Sequence, residues 1–427
     1  MPVAVVLFTR SLRWEDNTAL LRAARECRGA RILPLFVLNP EQADADRNTY
    51  FSGPAFRFML ESVLALADGG LRVVRGRPEE IIGRLGMGAG DAVYDTVDYT
   101  PFARARAGAI RAACEARGVR YVAVEDIDLV PISDAKIKGY RVFTPYYEAV
   151  LAQAGVARLR PDGGRVPSAR RFWGKAQKLP GEIGAEGVRR ILDGLPARPD
   201  AAAIAPIPIE AITGGRAAGL RLLAAVGPLM KNYGKTRDEV WRDGAGAAAA
   251  GTTHLSAHIK FGTVSIREVA RASIGSGGAR NPLLRQLLFR SYYYQRVWHD
   301  PDLMMEGLRP AEPPRIVSPA APEWRAFVRG DTGWPLIDAG IQELYATGLM
   351  HNRVRLLIAH HAIRSMGIAP PLLERWFAVH LVDYDPILTN AGVREGVRAF
   401  HVMKPESQAR RFDPKGVYVK RWGCAKN

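Results

Sequence analysis

Cysteine is scarce in this 427-residue chain: Cys27, Cys114 and Cys424 are scattered and odd in number. That excludes a disulfide framework and a cysteine-built metal site, and it points to a reducing compartment. No apolar run approaches the ~20 residues that a bilayer span needs. The first eight residues, MPVAVVLF, lack a basic leader and a small-residue cleavage site and read as a β-strand. A soluble, cytoplasmic protein with no membrane partner is therefore expected. No G-x-G-x-x-G follows any strand candidate, so nothing supports a dinucleotide site of that type. Acidic residues are outnumbered, 43 Asp+Glu against 60 Lys+Arg, which leaves a net charge of +17. Such a chain is drawn to polyanions, nucleic acid being the commonest, although charge alone does not separate that reading from a solvated basic surface.

The length exceeds what one ordinary core accommodates, so two domains are expected. Over 1–127, short apolar strands alternate with amphipathic helices, the pattern of a doubly wound parallel α/β domain. Strands are predicted at Ala4–Phe8, Arg31–Val37, Leu71–Arg75, Ala92–Tyr94 and Tyr121–Val124. Helices are predicted at Thr18–Cys27, Pro54–Ala67, Pro78–Arg84 and Phe102–Arg117. Residues 128–208 read as a connector rich in Pro and Gly, including Gly163-Gly164. From 209 to 427 helical periodicity dominates, as in Leu283–Arg296, Pro335–Tyr345, Met350–Arg364 and Pro371–Leu381. The low-complexity patch is Gly244–Gly251, and no internal repeat is visible.

Several long stretches carry specific text: Gly330–Gly340 (GDTGWPLIDAG), Leu344–Arg355 (LYATGLMHNRVR), Leu381–Pro386 (LVDYDP) and Arg411–Trp422 (RFDPKGVYVKRW). With Arg10–Leu20 and Tyr140–Pro145, they occur in the order found in the photolyase/cryptochrome family, which the chain resembles over nearly its whole length. The resemblance implies FAD as cofactor, held by the helical domain, and DNA as partner. The site residues it implies for the flavin are Tyr233, Thr252, Thr253, His254, Leu255, Ser256, Arg290, Asn352, Arg355, Asp383, Asp385 and Thr389. Their chemistry suits the task. The Thr252–Ser256 segment offers hydroxyls and backbone N–H groups before a helical run, as a phosphate requires. Asn352 and Arg355 share a helix face, and the family pairs that arginine with the first aspartate of the D-x-D segment, here Asp383, beside the flavin. The catalytic positions implied are Gln286, Phe289, Asn352 and Thr389. No metal is expected.

The chain also departs from the family. Gln286 stands where a glutamate would hydrogen-bond a pyrimidine dimer, and an amide is no general acid. Phe289 replaces the tryptophan on which a lesion packs, keeping an aromatic face. Thr389 replaces an asparagine facing the flavin. Val393, Pro370 and Val317 occupy the three tryptophan positions of the family's photoreduction chain, so slow photoreduction is expected. His360-His361 are read as structural. Tyr292-Tyr293-Tyr294 with Trp298 read as a packed aromatic helix rather than an electron route. Phe102 lacks the carboxylate of an antenna segment, so the antenna chromophore is unassigned. The favoured expectation is a monomeric DNA photolyase that repairs pyrimidine dimers in damaged or single-stranded regions by flipping the lesion out. The alternatives are a light-independent DNA-acting flavoenzyme on the same fold and a non-catalytic cryptochrome-like protein.

Overall fold

Five short apolar segments pair in parallel as one sheet: β1 (Val3–Leu7), β2 (Arg31–Leu38), β3 (Arg72–Arg75), β4 (Ala92–Thr96) and β5 (Arg120–Val124), in the order β3-β2-β1-β4-β5. Registers such as Val5↔Leu33 and Val5↔Val93 set β1 at the centre. Both faces are buried, which is why these strands are apolar without alternation. Ala4, Val6, Ile32 and Val73 pack under the Thr18–Glu26 and Gly53–Ala67 helices. Val5, Leu33, Val74 and Val93 pack under Pro78–Gly83 and Pro101–Glu115. Helix starts follow local chemistry: the Asn17, Ser52 and Thr100 side chains accept from the N–H groups of Leu20, Ala55 and Ala103.

The structure, a computed structural model, describes residues 2–134, 137, 139–154, 178–205, 207–242, 251–306, 314–398 and 405–423. Gly163-Gly164, the patch from Gly244 to Ala250 and Cys424 lie outside the described residues. The later part of the connector returns to the sheet. Glu182 bridges Val74 on the β3 edge, and Arg75 N donates to Gly181 O at 2.8 Å. Gly181 has φ +68°, and a Cβ there would lie 2.4 Å from Arg75 O, so only glycine lets the chain approach. The Gly184–Asp193 helix then packs Val188 and Leu192 into the core that includes Phe58 and Val63 of the Gly53–Ala67 helix. This segment shields a sheet edge that would otherwise stay open.

The strand order reverses between β1 and β4, and the crevice beyond their carboxyl ends is where α/β sheets bind ligands. Here the helical half fills it. Leu12 N donates to Phe261 O at 3.0 Å, and Gly262, at φ +67°, approaches so closely that a Cβ would sit 2.1 Å from Arg10 O. Beneath them Arg13 and Arg267 both hold Asp126 at 2.8 Å, and Arg267 also holds Asp16. Burial opposes ionisation of Asp126, but the two guanidinium groups keep its carboxyl well below the usual range.

The helical half matches expectation in its main elements, Pro282–His299, Pro335–Thr347 and Pro370–His380. One differs: the helix expected over Met350–Arg364 runs from Asn352 to His360, then widens into a π-turn, His361–Met366, that ends at Gly367 with φ +76°.

Candidate functional site

A cavity of about 640 Å³ opens in the helical half, within the size range of small-molecule and cofactor sites. Its walls come from distant parts of the chain: Tyr233–Asp238, Thr252–Lys260, the first half of Pro282–His299, the start of Asn352–His360, and Asp383–Val393. Tyr233, Thr252, Thr253, His254, Leu255, Ser256, Gln286, Phe289, Arg290, Asn352, Arg355, Asp383, Asp385 and Thr389 all line it. Helical geometry explains part of this convergence. Asn281 caps the Pro282–His299 helix through Leu284 N, and Gln286, Phe289 and Arg290, three and four residues apart, share the cavity-facing side. Burial pushes the Tyr233 phenol up to about 12, so it stays a hydrogen-bond donor. His254 sits at φ +52°, a left-handed conformation that costs a non-glycine residue ~1–3 kcal/mol and recurs at ligand sites. It shapes the Thr252–Ser256 turn before the short Ser256–Phe261 helix, whose start no side chain caps among the described residues.

Charge is concentrated on one wall. Arg355 Nη2 donates to Asp383 Oδ2 at 2.9 Å. Asp385 accepts from Arg10 Nη2 at 2.5 Å and from the Tyr294 hydroxyl, while Arg10 Nη2 also lies 2.7 Å from the Tyr294 oxygen. Burial would raise the Asp385 carboxyl, but Arg10 and Arg290 hold it at about 2. Arg290 is 8% exposed; its Nη1 donates to Ile127 O at 2.6 Å, and its plane lies 4.3 Å over the Tyr294 ring. Behind it Asp128, pushed by burial up to about 6, accepts from Ser291 Oγ at 2.5 Å. Lys260 joins the same wall, and burial and the neighbouring Arg10 bring its ammonium down to about 7.

Several of these residues were not legible in sequence. Lys260, Arg237, Arg353, Glu343 and Phe377 border the cavity without belonging to any predicted set. Glu343, 1% exposed, had a signal in retrospect. Tyr418 of the C-terminal motif donates to it at 2.5 Å, and Asp413 accepts from the N–H groups of Tyr418 and Val419. That motif thus braces the cavity from behind. Arg10 lay inside a recognised motif, but its role needs the fold: its partner is 375 residues away.

The departures also take their places. Phe289 stacks on Phe143 with ring centroids 3.4 Å apart and an interplanar angle of 10°, so one of its faces is already covered. Val393, 1% exposed, is part of the cavity wall. Pro370 opens the next helix, and the Ile316–Ile368 bridge sets Val317, 65% exposed, beside it. None of these three positions carries an aromatic side chain. His360 and His361 are buried and absent from the cavity lining among the described residues; His361 packs edge-on against Trp334.

The donor set fits a flavin dinucleotide. Arg290 Nη2 and Asp383 Oδ1 are buried at the cavity with no hydrogen-bond partner among the described residues, a state that native sites reserve for a ligand or solvent. Tyr233, the Thr252–Ser256 turn and Lys260 supply donors for a long anion. Among the described residues no cluster of His, Cys, Asp and Glu could hold a metal ion, and no helix is long and apolar enough to cross a membrane.

Comparison with known proteins gives the same picture. Residues 4–162 match the family model of DNA photolyase, and residues 283–424 match that of the FAD binding domain of DNA photolyase. A deoxyribodipyrimidine photo-lyase of Streptomyces griseus is 30% identical, over 99% of this chain and 89% of that protein. The crystal structure of an archaeal photolyase from Sulfolobus tokodaii, with two FAD molecules, superposes with a TM-score of 0.76 at 28% identity, covering 99% of this chain and 90% of that one. A Synechocystis cryptochrome shares the fold, with a TM-score of 0.79 at 21% identity over 99% and 88% of the two chains. An α/β sheet whose crevice is closed by a flavin-holding helical half, with relatives aligned along almost the entire length, leaves one assignment: the chain belongs to the photolyase/cryptochrome family.

Proposed function

We propose that the chain is a FAD-dependent DNA photolyase that splits pyrimidine dimers in light, acting as a monomer on a flipped-out lesion. The observation that carries this reading is the cavity itself: Asp383 and Asp385, ion-paired to Arg355 and Arg10, share its lining with Gln286, Phe289 and Asn352. The flavin supplies the light-driven electron when bound and reduced.

The protein's own residues do the rest. Tyr233 and the Thr252–Ser256 turn hold the phosphates, and Asp383, fixed by Arg355, and Arg290 offer their free buried atoms to the ring. Asn352 at the exposed helix start and the Gln286 amide contact the flipped bases by hydrogen bonds. Phe289, backed by Phe143, gives the lesion an aromatic edge and one partly open face. Arg237 and Arg353 at the cavity, with Arg285 beside Phe289, make the approach basic and suited to phosphates.

The test is repair of a dimer-containing oligonucleotide by protein whose flavin has been chemically reduced beforehand. Repair in light and none in darkness is expected. Equal activity in darkness would favour a light-independent enzyme, and no activity in either would leave a cryptochrome-like protein.

A further inference from the structure

We propose that Tyr294 is an electron donor to the bound flavin, giving up its electron to the light-excited oxidised ring while its phenolic proton passes to Asp385, and that Tyr99 and Trp298 link it to the surface. This rests on the reading of the cavity as the FAD site.

The geometry singles out this tyrosine. It is fully buried, one layer behind the cavity wall, and its hydroxyl donates to a carboxylate that itself lines the cavity. A phenol that loses an electron becomes a strong acid. Between Arg10 and Arg290 a buried positive hole is repelled, whereas loss of the proton leaves a neutral radical. Asp385 is the acceptor that allows this, and Arg10, bonded to both oxygens, keeps it ionised and ready. Burial works against that ionisation, yet the arginines hold the carboxyl at about 2, while the phenol is pushed well up by burial and so keeps its proton until oxidised.

A path outward exists. The Tyr294 ring lies 4.8 Å from Tyr99, and Tyr99 lies 6.1 Å from Trp298, a half-buried residue under Arg104. Among the described residues no hydrogen-bond partner meets the buried Tyr99 hydroxyl, so no acceptor is set to take its proton; it serves as a bridging ring and not as a stopping point. The rival aromatic group is worse placed. Trp376 bonds Tyr345 OH at 3.0 Å and is absent from the cavity lining among the described residues; its ring meets Phe377, a poor donor that does line the cavity.

Tyr294 loses one electron to the flavin and its O–H proton to Asp385 Oδ2. Trp298 returns the electron to Tyr294, and the proton returns from Asp385. Two such cycles leave two electrons on the flavin, which takes one proton from solvent, while two external thiol groups, re-reducing Trp298 once in each cycle, release their protons and end as one disulfide.

The experiment uses the FAD-loaded full chain, oxidised, without oxygen, under blue light with dithiothreitol. Flavin bleaching is followed by absorbance and the donor by electron paramagnetic resonance. Wild type should bleach, show a neutral tyrosyl radical, and slow in D2O. Tyr294→Phe, measured on its FAD-loaded fraction, should lose the radical and bleach roughly tenfold more slowly or worse. Trp298→Phe should form the radical but accumulate little reduced flavin, and it decides the matter alone if Tyr294→Phe does not hold FAD. Bleaching unchanged in either variant, bleaching lost only in Trp376→Phe, or a wild type that never bleaches overturns the relay. The dimer-repair reading is judged separately, on pre-reduced protein: repair without photoreduction removes the relay alone, and photoreduction through Tyr294 without repair removes the repair reading alone.

Discussion

Arg10 Nη2 lies 2.5 Å from Asp385 Oδ2, so the loop after the first strand of the sheet reaches into the wall of a cavity built by the helical half. The two side chains are 14% and 4% exposed, so each relies on the other far more than on solvent. Arg10→Ala leaves a buried carboxylate beside Tyr294, a loss on the order of 3–5 kcal/mol. Melting temperature and FAD content should therefore fall together, and adding Asp385→Asn should recover part of the stability. A single variant that melts like wild type would show that the two halves are not coupled through this pair.

The second pair predicts an asymmetry. Asp383 is 4% exposed and Arg355 24%. Arg355→Ala strands a buried anion and should cost ~3–5 kcal/mol with loss of flavin. Asp383→Ala should cost less in the apoprotein, because the arginine reaches the water of the cavity, but should weaken FAD retention as severely. Denaturant titrations of apo and FAD-loaded protein check both halves; full flavin occupancy in both variants would mean the ring lies elsewhere.

How much of this was legible can be judged from particular residues. The strands were, because burial on both faces leaves continuous apolar runs such as Ile32–Leu38, and Asn17, Ser52 and Thr100 mark helix starts one residue ahead of the chain's turn. The cavity-lining set was legible through long motifs, since each keeps its residues close in sequence. What was hidden depends on contacts between motifs: Arg10 with Asp385, Arg267 with Asp16 and Asp126, Tyr418 with Glu343. Nothing local in Lys260 marks it as a cavity residue; only the fold sets Arg10, Asp383 and Asp385 around it. The π-turn after His360 is likewise invisible, because apolar spacing continues through it.

DNA affinity should fall with salt. A chain of net charge +17 with arginines at the mouth releases counterions on contact with phosphates, so duplex binding should weaken at least ~tenfold between low and physiological salt. Fluorescence anisotropy across a salt series measures the slope, and a flat profile would remove the physical basis for a DNA partner.

Glu374 gives a pH signature. Burial, at 5% exposure, pushes its carboxyl up to about 7, against hydrogen bonds from Asn390 and Tyr384. A carboxyl raised above its unfolded value of 4.5 favours the native state fully below that pH. The contribution is lost as pH rises toward and through 7, since the unfolded chain ionises freely and the fold resists. Glu374→Gln should therefore match wild type near pH 4.5 and exceed it by up to roughly 3 kcal/mol at pH 8. Equal stabilities at pH 8 would show that Glu374 ionises in the fold without cost.

Replacing Val393 by tryptophan tests whether the aliphatic gap is a single break. Val393 is 1% exposed in the cavity wall, so the larger ring must turn into the cavity or displace its neighbours, at ~1–3 kcal/mol. An indole there would stand beside the cavity, yet the other two relay positions implied by the family resemblance hold Pro370 and Val317, neither able to carry a hole onward. The electron then returns before a thiol can act. Net bleaching in Val393→Trp should stay within about twofold of wild type, a change of less than ~0.5 kcal/mol in barrier. In a Tyr294→Phe background the new tryptophan should fail to restore it. A large gain from Val393→Trp alone would place a working donor beyond Pro370 and reopen the route that the sequence closes.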